Sequence, residues 1–142
     1  MTHTLHVVDS RLHTLHVVAG IVYDAQGRVL IAQRPTGKEL AGRWEFPGGK
    51  VAHNENPGAA IVRELREELG IEIEGAWRLM FYGVDTSART IWLDVWIVEK
   101  WTGNPEGLDG QALAWVEPAH LSTHDILEAD APIIAALERL RR

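Results

Sequence analysis

The sequence predicts an α+β domain, a mixed β-sheet with helices packed on it. Apolar, β-branched runs stand on both sides of one amphipathic helical segment. A second amphipathic segment closes the chain. Turn-forming residues separate nearly every run, and no stretch reads as a linker or a domain boundary.

The elements follow in order. Leu15 to Tyr23 is a strand, Asp24-Ala25-Gln26-Gly27 a turn, and Arg28 to Gln33 a second strand, which together predict a hairpin. A loop runs from Pro35 to about Arg43. Trp44-Glu45-Phe46 is a short strand, ended by Pro47-Gly48-Gly49. Asn56 before Pro57 marks a helix start, with Asn as the cap and Pro at the first helical position. Ile61, Leu65 and Leu69 recur every four residues as the buried stripe, and Gly70 is the C-terminal stop. Ile71 to Tyr82 and Arg89 to Trp101 are two further strands, followed by a loop from Gly103 to Gly110. Ala112 to Val116 is another strand, Pro118 to Leu121 a helical turn, and Pro132 to Leu140 the terminal helix.

With 142 residues and 46% hydrophobic composition the chain can bury a core of its own. A net charge of −6 argues against a nucleic-acid partner, because phosphate backbones select basic faces. A small phosphorylated substrate is still compatible with an acidic site if divalent metal lies between carboxylates and phosphates. Without cysteine there is no disulfide, thiol nucleophile or cysteine zinc site. No run is long enough to span a membrane and the N-terminus does not read as a signal peptide, so a cytoplasmic location is expected.

His3-Thr4-Leu5-His6-Val7-Val8 recurs as His13-Thr14-Leu15-His16-Val17-Val18, and only the second copy runs on into an apolar strand. One short echo is too little for a repeat architecture. Residues 1–11 are read as a duplicated extension without a functional role, and 12–142 as the single domain. The histidines at 3, 6, 13 and 16 are read as alternating strand and tail positions rather than a metal site. The six tryptophans are read mainly as core or sheet-face residues, with Trp92 and Trp96 sharing a face.

The chemistry is concentrated between residues 49 and 71. Glu64, Glu67 and Glu68 are spaced i, i+3 and i+4, so a helix puts them on one face. Like charges at i,i+4 cost about 0.2–0.5 kcal/mol per pair, so helix stability alone does not select this arrangement. Arg63 can reach Glu67, and a hard divalent cation with its demand for oxygen donors can compensate the rest. Glu55 lies just before the helix. The segment matches Gly-x5-Glu-x7-Arg-Glu-aliphatic-x-Glu-Glu-x-Gly-aliphatic at all nine fixed positions, from Gly49 to Ile71.

This segment resembles the signature of the Nudix hydrolases. Trp44-Glu45-Phe46-Pro47-Gly48-Gly49-Lys50, Gln33-Arg34-Pro35 and Glu128-Ala129-Asp130-Ala131-Pro132-Ile133-Ile134 resemble the MutT branch, the 8-oxo-dGTP diphosphatases. The resemblance runs from about Leu12 to Leu140. It implies a mixed sheet sandwiched between helices (α/β/α). It also implies a nucleoside triphosphate substrate, attack of water on the β-phosphorus, and a Mg²⁺ cofactor, with Mn²⁺ as the alternative. Glu64, Glu67 and Glu68, with the Gly49 carbonyl, are implied metal ligands. Glu55 supports them and Arg63 holds the carboxylates in register. Asp109 stands where the branch has glutamate and is the implied general base or ligand; Glu67 or Glu106 takes that role if its shorter side chain falls short. Arg34 is implied to contact phosphates, Arg89 to lie near the purine, and Phe46 to flank the base. Asp130 replaces the asparagine that reads oxidised guanine. A small-molecule triphosphate is the expected partner, the protein acting as a monomer.

That replacement keeps a second substrate class open, CTP or 5-substituted dCTP. A non-catalytic nucleotide-binding domain is the reading from another class. Such domains typically lose motif glutamates, and here Arg63, Glu64, Glu67 and Glu68 are all present.

Overall fold

The computed structural model describes residues 14–140. β1 (Thr14–Val22) is one of the two inner strands of a four-stranded sheet. It runs antiparallel to β4 (Gly48–Lys50) on one side and parallel to β6 (Thr90–Thr102) on the other. β5 (Glu72–Asp85) completes the order β4-β1-β6-β5. A smaller sheet has the order β3-β2-β7, built from β3 (Trp44–Glu45), β2 (Val29–Gln33) and β7 (Leu113–Val116). The expected mixed α+β sandwich is therefore present, with the sheet divided in two.

Alternation along β1 explains the layering. Val18 and Val22 face the helix α1 (Pro57–Leu69), where they meet Ile61, Leu65 and Leu69. Ala19 and Ile21 face the opposite way, toward Val95, Ile97 and the helix α2 (Ala131–Leu140) with its Ile133 and Leu137. Ile61, Leu65 and Leu69 are fully buried, each contributing about 1.5–3 kcal/mol by leaving water. Asn56 caps α1 by accepting the Gly58 N–H, and Gly70 ends it at φ 72°, as the sequence predicts.

One local expectation fails. The turn after Tyr23 forms, closed by the Asp24 N–H donating to the Arg28 carbonyl, but β1 and β2 share only an isolated bridge at Tyr23 and Val29 before entering different sheets. Both edges of β1 are already paired with β4 and β6, so no edge remains for a hairpin. Pro47-Gly48-Gly49 does follow the end of β3, as expected, but Gly48-Gly49 also has a pairing role of its own. It opens β4, with Val18 opposite Gly49 and Ala19 opposite Gly48. A Cβ on Gly48 would collide with the Val18 carbonyl, a clash no hairpin pattern reveals.

The region of Pro118 forms a 3-10 turn at Pro118–Thr123, and a second covers Glu128–Asp130. Trp92 and Trp96 do share a face of the sheet, and Trp101 stacks on Trp115. The first copy of the repeated hexapeptide, with His3, His6 and all of residues 1–11, lies outside the described residues, as does His13. His16 pairs with the buried Asp94 at 2.9 Å. No helix among the described residues is long and apolar enough to cross a membrane.

Candidate active site

Two sheets, α1 and the β6–β7 loop enclose a cavity of about 510 Å³. Arg34, Phe46, Gly49, Glu64, Glu68, Asp109 and Asp130 all line it, although they come from five separate stretches of the chain. The structure thus gathers most of the residues singled out in the sequence into one place. Glu55, Arg63, Glu67 and Arg89 are not in the lining.

Three of those four form a brace behind it. Arg63 donates from Nε and Nη2 to the two Glu55 carboxylate oxygens at 2.7 and 2.8 Å. Its Nη1 donates to Glu64 at 2.9 Å and to Glu67 at 3.0 Å, and Nη2 also reaches the Lys50 carbonyl at 3.0 Å. One planar guanidinium therefore ties the loop, β4 and two motif carboxylates together. Glu55 also accepts the Ala52 N–H. The Arg63 hydrogen bonds, with that N–H, hold the Glu55 carboxyl down at about 2. Arg89 stands apart, exposed in the turn between β5 and β6, where its backbone bonds Thr86.

The three motif glutamates are not equivalent. Glu64 and Glu68, one helical turn apart, face the cavity, whereas Glu67 is rotated toward solvent with its side chain 62% exposed. A Cβ on Gly49 would strike the Glu64 carboxylate, so glycine lets the backbone of β4 meet that group. Burial pushes the Glu68 carboxyl up to about 7, helped by the charges of Glu45, Glu64 and Asp109, while the Gly48 N–H acts the other way. Such crowding of oxygen donors fits a hard divalent cation, which would supply the missing positive charge. Among the described residues no three acidic or histidine side chains stand close enough to cage one, and Arg63 engages Glu64 and Glu67.

At the far end, Asp130 is 6% exposed beside Phe46. Burial pushes its carboxyl up to about 7, the Glu45 charge adds to this, and the Phe46 N–H opposes it. Phe46 is itself a core residue, 4% exposed, and also borders the cavity. Tyr82 donates its hydroxyl to the Ala129 carbonyl at 2.8 Å, which fixes the chain just before Asp130.

Sequence reasoning missed Glu45 and Gln111. Glu45 sits midway, its half-buried carboxylate raising both Glu68 and Asp130 and pairing with Arg34 at 3.0 Å. Arg34 is held by that pair and by donating Nε to the Glu39 carbonyl at 2.7 Å. Register gives the reason: Glu45 is opposite Ala32 in the small sheet, two residues before Arg34. Gln111 is a buried polar side chain in the cavity wall. Its type and position carry no motif signal.

An intact acid-and-arginine brace on a capped helix, opening onto a cavity with a buried acid at its other end, defines a class before any single protein. The chain belongs to the NUDIX family, whose domain pattern matches residues 13–137. Nudix hydrolases need divalent metal ions, in keeping with the donor set around Glu68. Within the family, the chain is 39% identical over 127 residues to the CTP pyrophosphohydrolase of Escherichia coli, covering 89% of this chain and 93% of that protein. It is 35% identical over 128 residues to the 8-oxo-dGTP diphosphatase of the same organism, covering 89% and 98%. A solved MutT structure, from work on the Aliivibrio salmonicida and Vibrio cholerae enzymes, superposes with a TM-score of 0.80 at 34% identity, covering 89% and 98%.

Proposed function

We propose that this chain is a nucleoside triphosphate pyrophosphohydrolase that acts on 8-oxo-dGTP, and on dGTP, to sanitise the nucleotide pool. The observation that carries the reading is the convergence on one cavity of Gly49, Glu64 and Glu68, braced from behind by Arg63 and Glu55, with the buried Asp130. A relative named 8-oxo-dGTP diphosphatase at 35% identity and one named "Putative 8-oxo-dGTP diphosphatase 2" at 44% support it. In the reaction, water attacks the β-phosphorus and the bond from that phosphorus to the α,β-bridging oxygen breaks. Nucleoside monophosphate and pyrophosphate leave.

Glu64, Glu67, Glu68 and the Gly49 carbonyl would hold Mg²⁺, or Mn²⁺ in its place. When bound there, such an ion would neutralise phosphate charge and make water a better nucleophile. Arg63 keeps Glu64 and Glu67 in place through the contacts described, and Glu55 anchors Arg63. Asp109, at the cavity edge, takes the proton of the attacking water. Arg34 meets the phosphates through the guanidinium N–H groups that Glu45 and the Glu39 carbonyl leave free. Phe46 flanks the base. Asp130, with a carboxyl near 7, offers a donor as well as acceptors near neutral pH, unlike an ordinary ionised aspartate. A monomer working in the cytoplasm completes the reading, with residues 12–142 as the working domain.

A second reading has a specific observation behind it. One relative is named CTP pyrophosphohydrolase, and an aspartate at position 130 also suits the exocyclic amine of cytosine. Steady-state pyrophosphate release with Mg²⁺, across 8-oxo-dGTP, dGTP, dCTP, CTP and 5-methyl-dCTP, separates the two. A large kcat/KM advantage for 8-oxo-dGTP is expected. A preference for cytosine nucleotides would move the substrate to the second reading and leave the reaction unchanged.

A further inference from the structure

The loop that carries Asp109 is held from three directions. The Glu106 N–H donates to the Leu69 carbonyl at 3.0 Å, and the Leu108 N–H to the Glu68 carbonyl at 3.1 Å. The last turn of α1, which also carries the Glu68 carboxylate, therefore fixes the first half of the loop. The Gln33 N–H donates to the Ala112 carbonyl at 2.9 Å, so β2 fixes its exit. Between these anchors the Gly110 N–H closes a turn on the Gly107 carbonyl at 2.9 Å. Asp109 sits inside that turn. Its own N–H has a side-chain partner, the Gln111 Oε1 at 2.9 Å.

Gln111 is an unusual residue to spend on this contact. Among the described residues only Asp94, Gln111 and Asp130 are buried polar or charged side chains. Gln111 is 9% exposed in the cavity wall. Burying an amide costs free energy unless it is hydrogen-bonded. Its packing also requires a glycine opposite: a Cβ on Gly107 would collide with the Gln111 carbonyl and approach its Oε1.

We propose that Gln111 is a positioning residue for Asp109, its buried side-chain oxygen holding the Asp109 backbone so that the carboxylate faces Glu68 across the cavity. Asp109 is close enough for its charge to be felt at Glu68, although the two lie in different elements. A slack turn would let the Asp109 carboxylate swing to solvent. The inference rests on the assignment of Asp109 as the group that takes the proton.

The test compares Gln111→Met in the parent and in an Asp109→Asn background, measuring kcat and KM for 8-oxo-dGTP with Mg²⁺. Methionine keeps the length and removes the acceptor. In the parent background kcat falls about ten- to a hundredfold, the range for partners that orient site carboxylates, while KM is unchanged. In the Asp109→Asn background the same substitution has no further effect. Gln111→Asn, which keeps the wall polar and draws the acceptor back by one carbon, reproduces the kcat loss and guards against a folding failure of the first variant. Equal losses in both backgrounds would show that Gln111 does not act through Asp109. A raised KM with unchanged kcat would make it a substrate contact instead. Should Asp109→Asn alone keep the parent kcat, the Asp109 assignment fails and this inference with it, while the motif glutamates stay tested by their own variants.

Discussion

The buried acid beside Phe46 in the cavity should leave a signature in stability against pH. Asp130 is held near 7 in the folded protein, chiefly by burial, against about 4 in an unfolded chain. Between those values the native state binds the proton that the unfolded state has lost. The contribution is therefore fully present below pH 4, declines as pH rises through 7, and is flat above that. Each unit corresponds to about 1.4 kcal/mol, so the interval amounts to ~4 kcal/mol. For a domain of this size that is on the order of 10 °C in melting temperature.

Asp130→Asn removes the titration and keeps an acceptor for the Phe46 N–H. The difference in melting temperature, variant minus parent, should grow steadily from pH 4 to pH 7 and then level off. Both proteins carry the same Glu68, whose carboxyl is raised by the same physics, so subtraction isolates position 130. Thermal unfolding followed by circular dichroism at five or six pH values would suffice. A difference that stays constant across the range would refute the argument, because it would mean that Asp130 ionises in the native state as it does in water.

Other consequences concern the motif and the extension. Glu67→Gln should cut turnover by orders of magnitude while circular dichroism and melting temperature stay near the parent's, since Glu67 is exposed and carries little of the packing; near-parental turnover with metal present would remove Glu67 from the site. Deleting residues 1 to 10 should leave kcat and melting temperature almost unchanged. Loss of either would show that the first copy of the hexapeptide has a role.

How much of this could be read in the sequence depended on how local the cause was. α1 was legible from cap to stop because Asn56, Pro57, the Ile61–Leu65–Leu69 stripe and Gly70 act within a few residues of one another. The brace was half legible. Spacing alone links Arg63 to Glu67, but the contacts with Glu55 and the Lys50 carbonyl need the loop to fold back. The hairpin expectation failed for the opposite reason. The turn at Asp24 is local and present, while strand partners are decided by β4 and β6, far away in sequence. Glu45 and Gln111 were invisible because their importance comes from burial and from neighbours on other elements. Spacing also put three glutamates on one face without saying that Glu67 sits at its rim and Glu64 and Glu68 at its centre.

The central claim is a reaction, and its products in labelled water test it most directly. The protein, incubated with 8-oxo-dGTP and Mg²⁺ in ¹⁸O-water, should yield 8-oxo-dGMP and pyrophosphate, with the label in pyrophosphate by mass spectrometry. That outcome is what attack at the β-phosphorus requires. Release of orthophosphate and a nucleoside diphosphate, or no turnover at all, would contradict it.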